Sequence, residues 1–219
     1  LENAEPWTQD MLMGYFHIKR AWNLRSGKKG KDVSQAGWEG FHTHLDKAYT
    51  HLNAAHQRKP MYPEAATLLI TVAMGGGTPR NENESYWFEH AVNAQFDHLD
   101  AYDRLVYALL PKWGGSYDQI MTQAQAWLDT GRFETKVPLQ YLEAVREICQ
   151  ERNDYRLLRR PGVYEGLEQM CKGYMESSRS TKKQNYYKSI WAAAAWRAEQ
   201  NEVALKLIKE LGKDVDSKG

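Results

Sequence analysis

Six apolar residues, Trp38, Phe41, Leu45, Ala48, Leu52 and Ala55, recur along one stretch of this chain at alternating steps of three and four. That spacing follows the helical turn of about 3.6 residues and is incompatible with the two-residue alternation of a half-buried strand. It predicts an amphipathic helix over 34–58, with Ser34 as N-cap and Pro60 at the exit. A single stripe of that length needs a neighbouring helix to cover it, so the chain is constrained from the outset to helix-on-helix packing.

The same punctuation extends in both directions. Residues 9–25 carry Met11, Tyr15, Ile18 and Trp22 on one side and end at Ser26-Gly27, before a polar link, Lys28-Lys29-Gly30-Lys31. Pro63 suits the first turn of a helix that stops at Gly75-Gly76-Gly77. Residues 84–97 follow with Trp87, Phe88, Ala91, Val92 and Phe96, and Asp100 opens a short helix through Leu109. Ser116-Tyr117-Asp118-Gln119 reads as a capping box for 116–130, closed by Gly131. Pro138 begins a helix bearing Leu142, Val145, Ile148 and Cys149, and 163–176 aligns Tyr164, Leu167, Cys171 and Tyr174. The last pair is 183–199 and 202–211, ended by Gly212. No alternating strand run appears. The expectation is an all-α chain of about ten helices, grouped as five antiparallel hairpins in a single helical-repeat domain over 1–219, with C-terminal helix pairs at 138–211.

Small residues indicate how the hairpins stack. Ala192 to Ala195, Ala198 and Ala204 let two helices approach closely, and the run Ala198, Asn201, Glu202, Ala204, Leu205, Ile208, Leu211, Gly212 is similar to the second half of a tetratricopeptide-like hairpin. A right-handed tetratricopeptide-like array with irregular spacing is expected.

With 29 Lys+Arg against 28 Asp+Glu, no global field drives the chain onto nucleic acid or an anionic membrane. The charge is nevertheless segregated. Residues 81–130 hold eight acidic residues and only Arg104 and Lys112, a net of −6, whereas 151–219 hold fourteen Lys/Arg against ten Asp/Glu, a net of +4. The longest apolar run, Ala65 to Met74, contains two threonines and falls far short of the ~18–20 residues of a membrane span. The chain begins at Leu1 without a visible secretory signal, and a cytoplasmic location is expected ahead of a periplasmic one. Cys149 and Cys171 lie on apolar helix faces and read as buried free thiols, a single bridge between neighbouring helices being the alternative in an oxidising compartment. Eight Trp and thirteen Tyr are many semi-polar rings for a helical protein, and some are expected at a binding surface.

Between two of the helices lies Leu110-Pro111-Lys112-Trp113-Gly114-Gly115-Ser116. Its residues suit a rigid corner: Pro111 and the glycines turn the chain, Trp113 wedges it and Ser116 caps the next helix. Together with Tyr102, Leu105, Ala108 and Leu109 upstream, the run resembles the signature of the bacterial domain-of-unknown-function 4034 family, a Leu-x-Pro-[Arg/Lys]-Trp-Gly-Gly-Ser segment joining two helices. The similarity covers about residues 10–150 and includes the Trp38-to-Leu52 helix, the proline-led helix and the glycine turn at 75–77. Membership would imply a tetratricopeptide-like helical fold and no established reaction, so no catalytic residue is carried over.

Gly114-Gly115-Ser116 lacks both the Gly-Lys-Ser/Thr ending of a phosphate loop and the Gly-x-Ser-x-Gly context of an elbow serine. Among seven histidines there is no His-Glu-x-x-His; His42 and His44 point to different faces, and His90, His98 and Asp103 form the best candidate for a metal-dependent or hydrolytic site. Arg152, Arg156, Arg159 and Arg160 with Tyr155, and Lys182, Lys183 and Lys188 with Tyr186 and Tyr187, carry the nucleic-acid alternative. The favoured reading is a protein–protein interaction module without catalysis or cofactor, serving as an adaptor or toxin-neutralising protein. Its partner protein or peptide would contact Tyr86, Trp87, His90, Asp97, Asp103 and Arg104, and Pro111, Trp113, Gly114, Gly115 and Ser116 form the structural corner.

Overall fold

The computed structural model describes residues 4–212; the outermost residues of the 1–219 span, Leu1 among them, lie outside it. Among the described residues there are ten α-helices, three short 3-10 turns and no strand. The helices are α1 (Pro6–Arg25), α2 (Gln35–Arg58), α3 (Pro63–Met74), α4 (Glu84–Ala94), α5 (Leu99–Ala108), α6 (Tyr117–Asp129), α7 (Gln140–Arg152), α8 (Val163–Ser177), α9 (Thr181–Arg197) and α10 (Asn201–Leu211). They pack as stacked pairs, and no described helix is long and apolar enough to cross a membrane. Two compact units are resolved, Leu1–Ala108 and Leu109–Gly219, where the sequence reads as one continuous array. The boundary falls where α5 ends and the proline- and glycine-rich corner begins.

In the first unit α1 and α2 form the most extensive pair, α3 and α4 the next, and α5 packs back onto both α3 and α4. Ser34 caps α2 by accepting the Gly37 N–H at 3.1 Å, and Phe41, Leu45, Ala48, Leu52 and Ala55 are buried along its predicted stripe. On α1 the predicted Ile18 is buried and Trp22 packs edge-on against Phe41, but Tyr15 does not turn inward. Gly14, His17, Ile18 and Ala21 are buried, while Tyr15 is 46% exposed beside Leu12 and Phe16. The cause is a close approach: a Cβ at Gly14 would overlap the Leu52 side chain, so the helix is rotated to put its smallest residue against α2.

In the second unit α6 pairs with α7, and α8, α9 and α10 pack in succession. Pro111 starts a 3-10 turn, the Trp113 N–H donates to the Leu110 carbonyl at 2.8 Å, and Gly114 takes φ +97°, a left-handed conformation that favours glycine. A Cβ on Gly115 would fall on the Leu109 carbonyl, and Ser116 Oγ accepts the Gln119 N–H at 3.2 Å to cap α6. Helix α7 begins at Gln140, two residues after Pro138, because Val137, Pro138 and Leu139 form a tight turn whose carbonyls receive the Gln140, Tyr141 and Leu142 N–H groups. The connector before it is tied to α8: Phe133 lies against Gly173, Tyr174 donates its hydroxyl to the Thr135 carbonyl at 2.8 Å, and the Leu139 N–H donates to that hydroxyl at 3.1 Å. Cys149 and Cys171 are both buried and free, and burial pushes both thiols up in pKa.

Candidate functional site

Helix α4 carries the centre of the predicted contact surface. Asn83 caps it by accepting the Tyr86 N–H at 2.9 Å, which fixes the first turn and places Tyr86 and His90 one turn apart on the same face. Their rings lie 4.6 Å apart between centroids, tilted by 51°, and both are half-buried. Trp87 packs beside them at 5.6 Å from His90, but it is only 2% exposed. This corrects its place among the contact residues: the Trp87 indole is core, held edge-on against His56 of α2 at 5.4 Å.

His56 was not anticipated. It is buried, with its Nδ1 and the Trp87 Nε1 both lacking hydrogen-bond partners, and burial, assisted by His90, lowers its pKa. A neutral ring is the form such a site favours. Beside this cluster the Tyr49 hydroxyl donates to Glu82 at 2.9 Å; burial first, then that bond, pushes the phenol up to about 12.

The remaining predicted residues are placed apart. Asp97 is exposed on the α4–α5 connection and accepts from the Gln95 amide at 3.3 Å. Asp103 is exposed on α5. Arg104 is already engaged, with Nε on Asp100 at 3.1 Å and Nη1 donating to Thr71 Oγ1 of α3 at 2.8 Å. It therefore braces α5 against α3, a role its position on an exposed charged segment did not reveal. His98 sits just before α5, its carbonyl accepting the Ala101 N–H. Among the described residues no group of three or more His, Cys, Asp or Glu side chains is placed to hold a metal ion, so His90, His98 and Asp103 do not form the metal site considered above.

A second histidine assembly lies in the α1–α2 seam. His17 Nδ1 and His44 Nδ1 are 2.7 Å apart, the His17 ring stacks on His51 at 5.9 Å, and His51 Nδ1 and the Arg58 guanidinium both meet the Asp10 carboxylate, at 3.1 and 3.0 Å. The seven-residue spacing of Asp10 and His17 on one helix, and of His44, His51 and Arg58 on the other, is the sequence signal that could have found it. His42 is exposed and stacked on Trp38, pointing away from His44 as expected.

In the second unit much of the basic stretch is paired internally. Arg152 and Arg156 share Asp154, Arg159 meets Glu199, Arg160 meets Asp118 and Lys188 meets Glu210. Tyr187 is stacked on Tyr174 at 4.7 Å and 10°, which commits that ring to intramolecular packing. Comparison with protein-family models, with curated proteins and with solved structures finds no significant match to this chain.

Proposed function

We propose that the protein is a protein-interaction module, a tetratricopeptide-like stack of helix hairpins that binds a segment of a partner protein and performs no chemistry on it. The observation that carries this reading is the Tyr86–His90 ring pair on α4, half-exposed and adjoining the exposed carboxylate of Glu89 on the same helix. Semi-polar rings over a rigid helix contribute binding area at low entropic cost, and the net negative charge of the 81–130 segment favours a basic partner segment. The likeness of the Leu110–Ser116 corner to the domain-of-unknown-function 4034 signature supports the tetratricopeptide-like fold of this proposal, and a bacterial adaptor or toxin-neutralising protein is the specific form proposed.

The test is a quantitative pull-down from native lysate with wild type and the variants Tyr86→Ala, His90→Ala and Asp103→Asn, followed by direct titration of the partner recovered. Recovery of a stoichiometric partner whose affinity falls several-fold in these variants, with unchanged helicity, supports the reading. A partner that binds all of them as tightly as wild type removes the α4–α5 surface from consideration.

A further inference from the structure

The second unit contains a cavity of about 160 Å³ bounded by α7, the turn at Arg156–Arg159, α8 and α9. Its walls are the buried side chains of Leu142, Val145, Leu158, Leu167 and Ile190. The space exists because α9 presents Ala193 and Ala194 there, where a longer side chain would fill it. A volume near 150 Å³ lined by apolar side chains accommodates a benzene-sized body of about six carbons.

The rim has a different character. Arg146, Gln150, Tyr155 and Arg197 border the cavity, and all but Arg146 are exposed. Arg146 is shared with Glu143 at 3.2 Å, but Arg197 forms no ion pair among the described residues; its guanidinium lies over the Tyr155 ring, 5.0 Å from the centroid. Asp154, near Cys149, is occupied by Arg152 and Arg156. Cys149 itself is held protonated by burial and adds no negative charge to the wall. An apolar floor with a planar guanidinium fork, free of ion pairs among the described residues, at its mouth is the arrangement that recognises an apolar body ending in a carboxylate.

We infer that this cavity is a binding site for a small apolar carboxylate, its chain or ring seated against Leu142, Val145 and Ile190 and its carboxylate held by Arg197 with Arg146. The site lies wholly within the second unit and is independent of the α4–α5 surface.

The test uses the full chain labelled with 13C at alanine methyls and titrated with hexanoate, with hexanamide as the uncharged match. Saturable shifts of the Ala193 and Ala194 methyls by hexanoate are expected, with affinity for hexanamide roughly tenfold weaker. Arg197→Gln should cut that preference several-fold, leaving only what Arg146 supplies, while keeping the fold intact. Ala194→Leu, which fills the cavity, should abolish both titrations without lowering Tm; if that variant does not fold, Ala193→Leu serves the same purpose. Equal affinity for acid and amide, retention of binding in the filled variant, or no methyl shift up to about 10 mM hexanoate would overturn the assignment.

Discussion

His17 and His44 share one hydrogen bond between their Nδ1 atoms, at 2.7 Å across the α1–α2 seam. One ring must donate and the other accept, so at most one of them can carry a second proton without losing the bond. Burial is the first cause lowering the pKa of each, followed for His17 by His44, His51 and Lys47 and for His44 by Lys47 and Arg20. His56 is lowered in the same direction. Below the ordinary value of 6.5 the unfolded chain therefore binds more protons than the folded one. The contribution is fully present above about pH 6.5 and is lost as pH falls below it toward the folded values. Thermal melts should show Tm falling between about pH 7 and pH 5, and His17→Leu with His44→Leu should flatten that slope. A Tm independent of pH across this window would count against the shared proton.

The seam also depends on the contact of Gly14 with Leu52. Gly14→Ala inserts a methyl where the Leu52 side chain now sits and should cost about 2 kcal/mol through overpacking. Leu52→Ala should cost about 3 kcal/mol by leaving a cavity. The double variant should be more stable than the sum of the two predicts, because the new methyl occupies space the leucine vacated. Denaturant melts of the four proteins decide this; strict additivity would mean the two residues do not oppose each other.

At the corner, Gly115→Ala places a Cβ on the Leu109 backbone carbonyl, which has no flexible end to yield. A loss of about 3 kcal/mol is expected. Gly114→Ala, at φ +97° with open space around its Cβ, should cost only about 1–2 kcal/mol. Equal losses at the two positions, measured by urea denaturation, would show that space does not matter at Gly115.

Adjacent residues on α4 should separate stability from binding. Trp87→Ala removes a fully packed indole and should cost about 3–5 kcal/mol. Tyr86→Ala, on the half-exposed face, should cost about 1 kcal/mol or less while reducing partner affinity. Circular dichroism melts beside partner titration distinguish the two, and a Tyr86 variant that is as unstable as the Trp87 variant would reassign Tyr86 to the core.

Local chemistry made most of the helix pattern legible. Ser34, Pro63, Ser116 and Gly131 mark ends within a residue or two of where the helices begin or stop, since caps and turns act over a few residues of backbone. Orientation was harder to read. On α1 the aromatic Tyr15 has the stronger apolar pattern, yet the inward face is set by how near Leu52 of another helix can come to Gly14. Likewise nothing adjacent to Arg104 announces Thr71, thirty-three positions away, and Trp87 looks like a binding ring until His56 is found beneath it. The Tyr86–His90 pair was accessible to sequence reasoning because both residues lie on one helix, one turn apart.

The connector between α6 and α7 has a consequence for handling the molecule. Residues 130–139 hold no helix, and Arg132 and Lys136 within them would ordinarily invite trypsin. With Phe133 laid on Gly173 and Thr135 and Leu139 both bonded to Tyr174, that backbone cannot enter a protease cleft without first dismantling part of α8's surface. Digestion under native conditions is thus directed to the exposed lysines between α1 and α2, and the first stable fragment should retain the α6–α7 connector intact.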